Sequence, residues 1–186
     1  MSETGLMRRI APALLLICLA RGDAMATDPK GHGFSLSSPA FAHEKEIPAR
    51  FTCEGQDVSP ELRWSAPPAG TKSFALIVDD PDAPDPAKPK RTWVHWVLVD
   101  IAASASAIPE GSPPTAARVG KNDWNKTAWG GPCPPIGRHR YFFKLYALDR
   151  TLPDLAHPTK VELEAAMKGH VLAQATLIGT YQKKKK

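Results

Sequence analysis

Three short clusters concentrate side chains that can hold an anion or move a proton. Asp79, Asp80 and Asp82 follow the apolar run Ser73 to Val78 (SFALIV). His95 stands near the start of a second apolar run, Trp93 to Ile101 (WVHWVLVDI). His139 and Tyr141 open a third, in which Arg140 to Leu148 reads RYFFKLYAL. Imidazole N–H and phenol O–H groups donate to oxyanions, and a neighbouring carboxylate selects which ring nitrogen carries the hydrogen. The same groups suggest hydrolysis, with Asp80 or Asp82 as base and His139 as acid. No Ser or Cys nucleophile with a matching base accompanies them. A metal held by His95, His139 and an Asp would lack any familiar ligand spacing. The expectation is a binding protein, not an enzyme, with no cofactor and no metal. Plainer readings stand beside it: Asp flanking Pro81 suits a turn, and His95 between two tryptophans suits a satisfied core.

These clusters must be positioned by strands. Each apolar run is short and bounded by Asp, Pro or Gly, which favours buried strands over helices. If the first two runs pair as an antiparallel hairpin, Asp80, Asp82 and His95 reach one mouth of the sheet. Alternation along the third run puts His139, Tyr141, Phe143 and Leu145 on one face. Further short strands are expected at Phe34 to Leu36, Ile47 to Phe51 and Leu62 to Trp64, with Val171 to Tyr181 closing the fold. Thr159-Lys160-Val161-Glu162 has capping-box spacing ahead of a helix through Leu163 to Lys168 that Gly169 ends. Residues 81–91 and 119–140 are Pro- and Gly-rich loops, and 102–118 a connecting excursion. In Gly130-Gly131-Pro132-Cys133-Pro134-Pro135 the prolines have no N–H, leaving the glycines and Cys133 to donate from a stiff lip. Pro134-Pro135 is a candidate cis bond. The fold class expected is mainly β: an antiparallel β-sandwich-like domain with a few short peripheral helices, one near the C-terminus.

Composition narrows the partners. Met7-Arg8-Arg9, the apolar run Ile10 to Ala20 and Ala24-Met25-Ala26 have the pattern of a secretory leader over residues 1–26. Residues 27–182 then form one domain, and 183–186 a lysine tail. The formal charge of the whole chain is +5. Outside the leader and the four terminal lysines, basic and acidic residues balance, so no basic face for nucleic acid is expected. No apolar run in the mature chain is long enough to span a bilayer. Cys18 would leave with the leader, and Cys53 and Cys133 would pair in an oxidising compartment, periplasmic or extracellular.

Asp80-Pro81-Asp82-Ala83-Pro84, Trp93-Val94-His95-Trp96 and Gly131-Pro132-Cys133-Pro134-Pro135 followed by His139-Arg140-Tyr141 resemble the signature blocks of the phosphatidylethanolamine-binding family. The resemblance is to its bacterial and archaeal, Raf-kinase-inhibitor-like branch. Thr52-Cys53-Glu54-Gly55, Ser59-Pro60, Pro68 to Ser73 and Tyr146 to Asp149 extend it from about Phe34 to Tyr181. It implies a pocket for phosphate-like or carboxylate-like groups at Asp80, Asp82, His95, Pro135, His139 and Tyr141. Backbone donation from Cys133 and packing by Trp93 would complete that pocket. It also implies a second class of function, a protein-interaction module that inhibits or modulates a protease or signalling partner through loop 81–91. The Pro- and Lys-rich Asp85 to Arg91 and Val94, where many members carry Trp, depart from the pattern.

Overall fold

The computed structural model describes Met1, residues 33–152 and residues 155–184. The leader expected over residues 1–26 and the last two lysines of the tail lie outside the described residues. In chain order the strands are β1 (Ser35–Ser37), β2 (Lys45–Glu46), β3 (Leu62–Ser65), β4 (Ser73–Asp80) and β5 (Trp93–Ala102). There follow β6 (Ala107–Ile108), β7 (Arg118–Val119), β8 (His139–Leu148), helix α1 (Lys160–Met167) and β9 (Val171–Tyr181).

β4 carries five consecutive apolar residues, Phe74 to Val78, because every one of its positions is buried, on both faces. It therefore takes the centre of a six-stranded sheet, ordered β2-β9-β8-β4-β5-β7, with antiparallel β8 and β5 on either side. A three-stranded sheet, β1-β3-β6, packs over one face. Between the sheets Phe74, Leu76 and Val78 meet Trp96, Leu98, Phe143, Leu145, Leu36 and Trp64. On the other face Ala75, Ile77, Val97 and Val99 pack with Leu163 and Met167 of α1. Each large side chain so buried contributes roughly 1.5–3 kcal/mol relative to exposure.

Alternation in β4 splits the adjacent aspartates. Asp79 turns toward the helix face, where Lys160 Nζ donates to Oδ2 at 2.6 Å and Lys144 Nζ at 2.8 Å. Asp80 turns to the opposite face, at the end of the core between the sheets.

The helix begins as its sequence predicts. Thr159 Oγ1 accepts from the Glu162 amide, and Glu162 Oε2 accepts from the Thr159 amide at 2.7 Å. Gly169, at φ +82°, follows the last turn. The expected strand at Ile47 to Phe51 is instead a 3₁₀ turn over Ala49–Phe51. Pro48 supplies no ladder N–H there, and its carbonyl accepts from the Phe51 amide at 3.0 Å. Two pairs of residues in and beside the 102–118 excursion form β6 and β7, too short to carry a period. The cis bond lies at Ala83–Pro84, and Pro134–Pro135 is trans.

Gly179 of β9 lets Ile47 and Phe41 close over the sheet. A Cβ there would lie 2.5 Å from Ile47 Cγ1 and 2.8 Å from Phe41 Cε2. Gly179→Ala is expected to cost about 1–3 kcal/mol through overpacking, read as a fall in the denaturation midpoint with unchanged slope.

Candidate functional site

The hairpin expected from sequence forms, and Asp80 sits opposite Trp93. Its register slips by one: Val78 faces Trp96 while Asp79 faces Val94, so His95 is an extra, unpaired residue. A β-bulge of this kind re-aims the side chains beside it. Val94 packs on the helix face and Trp96 between the sheets. His95 turns to the Trp96 side, where its ring lies 5.2 Å from that of Tyr141.

A cavity of about 470 Å³ opens at this corner. β4, β5 and β8 contribute Asp80, Trp93, His95, His139 and Tyr141 to its wall. The stiff lip adds Cys133, Pro134 and Pro135, and loop 81–91 adds Ala83, Pro84, Lys90 and Arg91. Trp124 covers one side, edge-on to both Trp93 and His95 at 5.1 and 5.2 Å. Arg91 stacks its guanidinium 3.9 Å above the Trp93 ring.

The polar groups of this corner divide into two sets. The first is satisfied within the protein. Asp80 Oδ1 accepts from the Asp82 amide at 2.8 Å, and its Oδ2 faces His139 Nδ1 at 2.7 Å. The other ring nitrogen of His139 faces the Ile136 carbonyl at 2.9 Å. Both nitrogens of His139 thus meet acceptors, and neither is left for a ligand. Asp82 does not line the cavity. Arg140 occupies its carboxylate with the backbone amide and Nε at 2.9 Å and the guanidinium NH2 at 2.7 Å. Those Arg140 hydrogen bonds hold the Asp82 carboxyl below the usual range, against the opposing effect of burial.

The second set has no partner. Trp93 Nε1, His95 Nε2 and the Tyr141 hydroxyl are buried, and none makes a hydrogen bond among the described residues. His95 and Tyr141 are 2 % and 1 % exposed. Burial pushes the His95 imidazole below its ordinary value, partly offset by the Gly130 carbonyl and the charges of Asp80, Asp79 and Asp123. Burial and the nearby Asp80 carboxylate push the Tyr141 phenol far upward, so it keeps its hydrogen.

The phosphatidylethanolamine-binding protein profile matches residues 37–182. The chain belongs to that family. It is similar to a UPF0098 protein of Methanothermobacter thermautotrophicus, 42% identical over 154 residues that span 80% of this chain and 99% of the relative. A homologue of the family from Chlamydia trachomatis superposes with TM-score 0.76 at 39% identity, covering 82% of this chain and 99% of that one. YbcL of E. coli gives 0.73 at 32% identity, with the same coverages.

Within this family fold, a covalent tie holds the lip of the cavity. Cys53 and Cys133 form a disulfide with Cα atoms 5.4 Å apart. Beside it the Cys53 amide donates to the Pro132 carbonyl at 3.2 Å, and the Gly131 amide to Asp57 Oδ1 at 2.7 Å. Sequence reading gave no role to Trp124, and placed Lys90 and Arg91 only in the loop considered for a protein partner. Trp124 is positioned by Asn122, whose Oδ1 accepts from the amides of Trp124 and Lys126, both at 3.0 Å. The Asn-Asp-Trp-Asn run around it is a turn signal, the one local hint available. Among the described residues no three His, Cys, Asp or Glu side chains converge to hold a metal ion, and no helix is long and apolar enough to cross a membrane.

Replacing both Cys53 and Cys133 by Ser is expected to cost about 2–4 kcal/mol in denaturant unfolding, because the bond closes a long loop. His95 generates a pH dependence. Its folded-state pKa is depressed, so the unfolded chain binds the proton more readily. Its contribution to stability is full above the ordinary value of 6.5 and is lost as pH falls through the folded-state value. Thermal midpoints of the ligand-free protein should fall in that window, and less so in His95→Gln.

Proposed function

We propose that this protein is an exported, non-enzymatic binder of small oxyanions, phosphate or carboxylate, free or carried on a head group. The observation that carries this reading is the trio of buried, unpartnered polar atoms lining one cavity: Trp93 Nε1, His95 Nε2 and the Tyr141 hydroxyl. Buried polar groups in folded proteins are almost always paired. Three orphans in one concave site are therefore best explained by a ligand that answers them. Lys90 and Arg91 on the wall favour a negatively charged one. The family's name, which refers to a phosphorylated head group, points the same way.

Asp80, Trp93, His95, Cys133, Pro135, His139 and Tyr141 form the proposed site. Asp80 and His139 act in it as a rigid frame, and Asp82 holds the strand behind it. Hydrolysis has little support, because His139 has no free nitrogen and Cys133 is bonded to Cys53. That disulfide supports export to an oxidising compartment. Loop 81–91, the surface considered for a protein partner, also contributes Ala83, Pro84, Lys90 and Arg91 to the cavity wall. Its Ala83 carbonyl accepts from the amides of Lys90 and Arg91 at 2.9 and 3.3 Å.

Calorimetric titration of the purified protein with inorganic phosphate should saturate. Tyr141→Phe, which removes one donor and little else, should weaken binding about tenfold, or about 1.4 kcal/mol. A flat titration, or full affinity in Tyr141→Phe, would refute this reading.

A further inference from the structure

The hydrogen bond on the far side of His95 decides what the near side can accept. His95 Nδ1 lies 2.6 Å from the Gly130 carbonyl, an acceptor only, so Nδ1 carries the hydrogen. The Gly130 position is itself fixed. Its amide donates back to the His95 carbonyl at 3.2 Å, and a Cβ there would lie 2.6 Å from the Trp124 ring. In the neutral ring Nε2 is therefore a bare lone pair, buried and without a partner. The Tyr141 hydroxyl can donate, and Trp93 Nε1 can only donate. The three buried, unpartnered atoms of the cavity wall thus offer two donors and one acceptor, and an anion with acceptor oxygens alone leaves the Nε2 lone pair facing an oxygen lone pair.

We propose that the cavity is built for an oxyanion that brings a hydrogen of its own, as inorganic phosphate or a monoprotonated phosphate monoester does. This rests on the oxyanion-binding reading above and specifies it. One P–OH donates to His95 Nε2 while the remaining oxygens accept from Tyr141 and Trp93. Inorganic phosphate keeps a hydrogen throughout the physiological range. A monoester keeps it only below its second pKa, about 6. Sulfate and phosphodiesters have none to give, and bind only when a proton from solvent is placed on Nε2.

That proton is opposed by the surroundings of His95. The groups that face or flank it are Asp80 and Asp79 from β4, Asp123 and Trp124 from the loop over β5, and His139 and Tyr141 from β8. Lys90 and Arg91 complete the cavity wall. The three aspartates favour the charged ring. Burial outweighs them, and Asp80 is already engaged with His139. Sulfate affinity should therefore fall about tenfold for each pH unit above the His95 pKa, the limit for one linked proton.

The test is calorimetry of the purified protein with inorganic phosphate, sulfate and dimethyl phosphate, at about pH 5.5 and about pH 7.5, in two buffers of different ionisation enthalpy. Near pH 7.5 phosphate should bind at least about tenfold more tightly than sulfate or dimethyl phosphate. Toward pH 5.5 the latter two should gain, with buffer-dependent heats equivalent to one proton taken up. His95→Gln, whose amide can offer an N–H without titrating, should bind sulfate with no such pH dependence. Equal phosphate and sulfate affinities near pH 7.5, with buffer-independent heats, would overturn the proposal and leave the oxyanion pocket standing. Saturation by none of the three at either pH would overturn both.

Discussion

A carboxylate that is 3 % exposed must have its charge answered inside the protein, and Asp80 is the point on which this corner of the fold depends. Leaving such a charge without its partner costs several kcal/mol. Asp80 meets the demand by gripping two elements at once, the first turn after β4 through the Asp82 amide and the start of β8 through His139. Asp82 repeats the grip one step farther out, on the backbone and guanidinium of Arg140. Together they clamp the mouth of the sheet through contacts made by the protein's own groups. His139 is a structural member of that clamp. His95 and Tyr141 instead turn polar atoms that have no hydrogen-bond partner among the described residues toward the cavity.

Much of this was legible from the chain. The long strands β4, β5, β8 and β9 are runs rich in apolar residues; burial on two faces explains why β4 and β5 do not alternate, while β8 and most of β9 do. The helix announced itself through Thr159 and Glu162. Ile47 to Phe51 misled because its apolar residues suit a strand, while Pro48 denies the ladder an N–H. Strand ends placed Asp80 and His95 at one mouth of the sheet, and the family resemblance added His139 and Tyr141 to them.

What stayed hidden depends on contacts between segments distant in sequence. Nothing local says that Arg140 will occupy Asp82, or that the Ile136 carbonyl will take the second nitrogen of His139. The bulge at His95 is equally silent, since strict alternation would have turned that ring toward the helix. Trp124 is held by a loop tied through Asn122 and β5, and through the Lys121 amide to the distant Pro158 carbonyl. A lone Trp among Asn, Lys and Gly carries no such message.

The Cys53–Cys133 bond has a topological side as well as an energetic one. The covalent ring it closes contains the whole of loop 81–91, whose residues 87–91 are exposed to solvent. A protease that cuts that loop once would open the ring without releasing a fragment. The two pieces would stay joined through sulfur and through the pairing of β4 with β5 and β8. The wall of the cavity can therefore suffer a break in its chain while the molecule remains one covalent body, separable only by a reductant.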